Sequence, residues 1–120
     1  MSVNQREVYK LPHPITLEIE EGHPFIVLSV LDANNHERTF VAVMITSSEF
    51  KKDEYSFPLA NEMFERDLPK PDSHARMHLM TLCLPEDIIG NRLNVMKEFY
   101  FNQLMAAIGD LVFNFNFTPI

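Results

Sequence analysis

Two short apolar runs on either side of a polar bridge constrain this chain more than any other feature. The first is Gly22-His23-Pro24-Phe25-Ile26-Val27-Leu28-Ser29, and the second is Phe40-Val41-Ala42-Val43-Met44-Ile45-Thr46-Ser47-Ser48. Each is of strand length and is bounded by breakers or polar residues, so together they read as a β-hairpin. Apolar side chains fill both alternating faces of Phe25 to Leu31, apart from Ser29, which places that strand in the middle of a sheet covered on both sides. The stretch Asp32 to Arg38 reads as a polar connection. The second strand ends in three adjacent hydroxyl side chains, Thr46, Ser47 and Ser48.

The remaining elements are expected in sequence around this hairpin. Met1 to Lys10 is polar and carries both signs of charge, whereas Ile15 to Glu20 alternates apolar and polar residues with the period of a half-buried strand. Glu21-Gly22 turns the chain. Tyr55 to Leu59 reads as a short edge strand stopped by Pro58. Residues 60 to 75 read as a surface excursion with one helical turn near Asn61 to Arg66. A strand follows over Met77 to Leu84 and ends at Pro85. After a Pro-Glu-Asp turn and Gly90, apolar residues recur with a helical period from Val95 to Leu111, with Asn94 as the cap. Val112 to Phe117 alternates Phe with Asn and reads as a last strand. No linker or repeat divides residues 1–120, which are expected to form one domain.

Composition narrows the function classes. At 120 residues and 46% hydrophobic the chain can bury a core without staples. Its single cysteine, Cys83, makes no intramolecular disulfide, no paired Cys/His spacing suggests zinc, and no apolar run is long enough to span a bilayer. The expectation is a soluble cytoplasmic protein with no metal, no cofactor and no membrane partner. A net charge of −7 argues against generic nucleic-acid binding, because phosphate contacts supply most of such affinity. A local exception lies in residues 68 to 81, where Lys70, His74, Arg76 and His78 stand against Asp72 alone.

The order of these elements resembles that of the MazF/PemK-like toxin family. The likeness runs from about His23 to Ile108: the His-Pro strand, the Ile45-Thr46-Ser47-Ser48 strand, the short strand ending at Pro58-Leu59, the Met77 to Leu82 strand, an Ile89-Gly90-Asn91-Arg92-Leu93 turn and a final amphipathic helix. The resemblance implies a mainly β fold, an SH3-like barrel of five to seven antiparallel strands with a C-terminal helix across one end. It also implies a homodimeric toxin of a type II toxin–antitoxin system, paired with an antitoxin protein and cutting single-stranded RNA. Several family features are missing. The opening Gly-Asp is absent, the loop between Ile19 and Pro24 is short, and His23 stands where the family has an arginine implicated in cleavage. His78 and Thr81 align with positions that commonly carry Asp and Arg.

Metal-independent RNA cleavage needs a base for the 2′-hydroxyl proton, an acid for the leaving oxygen and donors at the phosphate. Histidine can fill either proton role near neutral pH. If the barrel closes as in the family, His23 and Thr46 meet as the catalytic pair. Ser47, Ser48, Arg76 and His78 are then substrate-binding candidates. Each has a plain structural reading beside this one. His23 can simply cap a strand before its proline, and the Thr46 to Ser48 hydroxyls are common strand-exit chemistry. His74 and His78 lack a third ligand at a recognisable spacing. Phe99, Tyr100, Phe101 and Met105 suit a core stripe or a dimer surface. The alternative function is a catalytically silent barrel serving as a protein-interaction or regulatory module. Whether the chain is an enzyme stays open at this level.

Overall fold

The computed structural model describes residues 2–13, 22–47 and 52–114. Six strands form one antiparallel sheet: β1 (Glu7–Leu11), β2 (His23–Val27), β3 (Phe40–Thr46), β4 (Ser56–Pro58), β5 (His74–Cys83) and β6 (Ile89–Val95), in the spatial order β4-β5-β3-β2-β1-β6. Helix α1 (Leu31–Glu37) joins β2 to β3, and helix α2 (Glu98–Leu111) follows β6. The expected hairpin is therefore the centre of the sheet, with Phe25 opposite Met44 and Val27 opposite Ala42.

Both faces of that centre are buried, as the double-sided apolar pattern requires. Alternation sends Ile26, Leu28, Val43 and Ile45 into a core completed by Met77, Phe64, Met96 and the inner stripe of α2, Phe101, Leu104 and Ile108. Phe25, Val27, Ala42 and Met44 enter a second core with Val3, Tyr9, Leu11, Phe40 and Cys83. The sheet also curls. Past its two edge strands, Phe64 and Met96 form an antiparallel bridge, and the Glu65 and Lys97 amides donate to the Val95 and Met63 carbonyls. These bonds bring the ends of the sheet together as a barrel.

Several expectations are corrected. The link over Asp32 to Arg38 is not an irregular connection but α1, which ends at Arg38 in the left-handed region. Its two asparagines are poor helix formers. The buried Asn34 compensates by donating side-chain bonds to the Val3 and Ser29 carbonyls, at 2.8 and 3.1 Å. The polar N-terminus holds β1, whose Val8, Tyr9 and Leu11 are buried between β2 and β6. Ile89 to Leu93 is not a turn but part of β6. That strand lies at the sheet edge, so its Asn91 and Arg92 are exposed and give no apolar alternation. Asn94 lies in β6 and caps no helix, since α2 starts only at Glu98. Strand β5 begins at His74 rather than Met77, because His74, Ala75 and Arg76 already pair with β3 or β4. The edge strand at Tyr55 to Leu59 and the helical turn, Asn61–Met63, stand where expected. Val112 to Asn114 form no strand. The strand expected over Ile15 to Glu20 and the rest of the Phe-Asn ladder lie outside the described residues.

Candidate functional site

Where the central strands run out, a cleft of about 750 Å³ opens at the mouth of the barrel. Its rim is built by the hairpin: His23 at the start of β2 and Thr46 at the end of β3, followed by Ser47. The β2–β3 register pairs Phe25 with Met44, so carrying it two residues further sets His23 opposite Thr46. Alternation puts these two on the side of Phe25 and Met44, while Lys10, Pro24 and Ile45 lie on the side of the first core and form the floor. The His23 ring also meets His13 edge to face, with centroids 5.4 Å apart. His13, in the chain following β1, is not legible as a site residue, because nothing in the two His-Pro pairs, His13-Pro14 and His23-Pro24, shows that the β1–β2 pairing brings their rings together.

The far wall comes from the segment between the Asn61–Met63 turn and β5, which contributes Arg66, Asp67 and Lys70. Asn94, buried in β6, pins this wall. Its side-chain carbonyl accepts from the Arg66 amide at 3.0 Å, and its side-chain amide donates to the Arg66 carbonyl at 2.9 Å. The Ser73 hydroxyl donates to the Lys70 carbonyl and fixes the wall's other end. The cleft thus carries Lys10, Arg66 and Lys70 against Asp67, a cationic patch on a chain of net charge −7.

The structure brings His23, Thr46 and Ser47 together, and Arg76 and His78 do not line the cleft. Arg76 is buried on β5 and donates to Asp53 and to the Ser56 hydroxyl. That bond, more than any other influence, holds the Asp53 carboxyl below its usual range. His78 is exposed and lies against Tyr55, ring to ring at 5.5 Å. Ser48 lies outside the described residues. His74, which the sequence places only in a basic stretch, sits directly opposite Thr46 across the β3–β5 ladder and is fully buried. Desolvation pushes its imidazole below the ordinary histidine range, so the ring is held neutral. Among the described residues no three His, Cys, Asp or Glu side chains gather as a metal site would need. No described helix is long and apolar enough to cross a membrane.

A curled six-stranded antiparallel sheet, closed by a C-terminal helix and bearing a cleft at the end of its central hairpin, defines an SH3-like barrel with a built site. Solved structures make the class more specific. An endoribonuclease from a mycobacterial species superposes over 93% of this chain and 92% of its own, with a TM-score of 0.69 at 12% identity. A mycobacterial endoribonuclease in complex with its cognate antitoxin covers 92% and 95%, with a TM-score of 0.70 at 14% identity. A MazE–MazF structure from Deinococcus radiodurans covers 93% and 96%, with a TM-score of 0.69 at 12% identity. The fold is that of the MazF toxins, as the order of elements in the sequence implied. The sequence itself matches no protein-family model and no curated protein.

Proposed function

We propose that this chain is the toxin of a type II toxin–antitoxin pair, a cytoplasmic endoribonuclease that cuts single-stranded RNA without a metal ion. The observation that carries this reading is that His23, at the start of β2, and Thr46, at the end of its partner β3, line one cationic cleft of a MazF-type barrel. An antitoxin partner is supported by the structural neighbours solved with theirs.

In this reading the substrate's 2′-hydroxyl attacks the adjacent phosphorus in line with the departing 5′-oxygen. One proton leaves the 2′-oxygen and one is delivered to the 5′-oxygen, leaving a 2′,3′-cyclic phosphate and a 5′-hydroxyl. The His23 imidazole performs one of these transfers, since its ordinary range lies near neutrality. Thr46 and Ser47 donate hydrogen bonds to the phosphoryl oxygens as charge grows there. His23 stands at the position of the family's arginine, so it contributes proton transfer where an arginine contributes fixed charge.

The test is cleavage of single-stranded RNA in EDTA by the purified protein, beside growth and RNA integrity after induction in a bacterial host. His23→Ala is expected to slow cleavage about a hundredfold or more, and Thr46→Ala to slow it at unchanged stability. Activity that vanishes with EDTA contradicts the mechanism, and activity indifferent to both substitutions contradicts the site. No cleavage and no toxicity would make the barrel a silent interaction module.

A further inference from the structure

We infer that Lys10, Arg66 and Lys70 form a track for the phosphates flanking the cleavage point, so that a single RNA strand lies between the β1 floor and the Arg66–Lys70 wall. This rests on the ribonuclease reading and names how that site holds its substrate. The track is a property of the fold, because β1 brings Lys10 to the same cleft as Arg66 and Lys70, which lie together on a segment far along the chain from it. They oppose one acid, Asp67, in a chain that is acidic overall. A surface cation distributed at random would more often face a neighbouring carboxylate on such a protein.

The supports are also built for position. Lys10 lies on a paired strand, opposite Pro24, and the Arg66 main chain is held from both sides by the buried Asn94. Lys70 is fixed through its carbonyl by Ser73. The main chain under each cation is thereby tied down, while the Arg66 and Lys70 side chains remain exposed and able to meet a ligand. Backbone phosphates are the ligand class that suits cations spread along a cleft, and the apolar lining between them, Ile45, Phe64, Leu68 and Leu93, is left to meet the bases.

The experiment measures binding of a 2′-O-methyl single-stranded RNA, which lacks the attacking hydroxyl, by fluorescence anisotropy across a salt series. The double variant Arg66→Gln/Lys70→Gln changes two exposed side chains and preserves the fold; Lys10→Gln is made separately, and Lys97→Gln, exposed and outside the cleft, is the control. Each cation that meets a phosphate contributes about 0.7 to the slope of log affinity against log salt for a single strand, so the double variant is expected to flatten the slope by about 1.4. On unmodified RNA it raises KM about tenfold or more while kcat stays within about twofold, the signature of lost ground-state binding. Wild-type binding with an unchanged slope and unchanged KM in the cleft variants overturns the track alone. Failure of the wild type to bind any single-stranded RNA overturns the ribonuclease reading, and the track with it.

Discussion

A methyl group on Gly22 would lie 2.8 Å from Cγ of Lys10. The same methyl would stand 3.0 Å from the Ile89 side chain and 3.2 Å from the Leu11 carbonyl oxygen, and Gly22 has φ +61°, where a side chain is strained whatever the space. Gly22→Ala is therefore expected to cost about 1–2 kcal/mol from backbone strain, with more if Leu11 must shift. Because the displaced side chain is Lys10, RNA affinity should fall as well. Urea unfolding checks the first part, and an unchanged midpoint refutes it.

Val27 is fully buried in the second core, on the central strand of the sheet. An aspartate there would be buried among Phe25, Phe40, Ala42 and Met44. Val27→Asp is expected to cost several kcal/mol, enough to leave most of the chain unfolded. Val27→Ala only opens a small cavity, and about 1–3 kcal/mol is its expected cost. Circular dichroism and denaturant titration of the two variants order them. Equal stabilities would show that the second core is not packed as described.

His74 makes stability depend on pH. Its folded pKa is depressed by burial below the ordinary value of 6.5, so the unfolded chain takes up a proton more readily than the folded one. The contribution is whole above pH 6.5 and is lost progressively as pH falls below that value. Thermal unfolding from pH 8 to pH 5 should show the midpoint dropping on the acid side. His74→Met should flatten that drop. A variant that keeps the full acid slope would assign it to another group.

Helix α2 spends its inner stripe on the core and still presents Phe99 at 67%, Leu111 at 47% and, just beyond its end, Phe113 at 59% exposure. Apolar surface of this kind on a small domain marks a partner, and a homodimer is the proposed one. Light scattering at micromolar protein should give about twice the 14.0 kDa chain mass, and Phe99→Glu should lower it. A monomeric wild type refutes the dimer.

What the sequence reveals follows from where each strand lies. The β2–β3 hairpin is legible because a buried central strand must be apolar on both faces, and Phe25 to Leu28 and Phe40 to Ile45 are. Strand β6 is not legible, since an edge strand pairs on one side only and tolerates Asn91 and Arg92 facing water. Helix α1 hides for a different reason: its asparagines disfavour a helix locally, and the bonds of Asn34 to Val3 and Ser29 appear only after folding. In the site, His23 and Thr46 could be matched because they end paired strands. The wall carrying Arg66 could not, because it depends on Asn94 bonding a segment 28 residues away. Arg76 illustrates the opposite error, a cation whose sequence neighbourhood looks basic but whose side chain is spent on Asp53 and Ser56.

The pairing of β1 with β6 has a consequence for when this protein comes into being on the ribosome. The Arg92 that pairs with Glu7 is translated 85 residues after it. Until β6 emerges, the open edge of β1 has no neighbour, Phe64 has no Met96 to bridge, and Arg66 has no Asn94 to hold it. Contacts this distant in sequence form late, because the loop entropy must be met before they reward the chain. A nascent or prematurely terminated chain thus lacks the wall of its own cleft, and the proposed ribonuclease activity would wait until translation has passed the last strand.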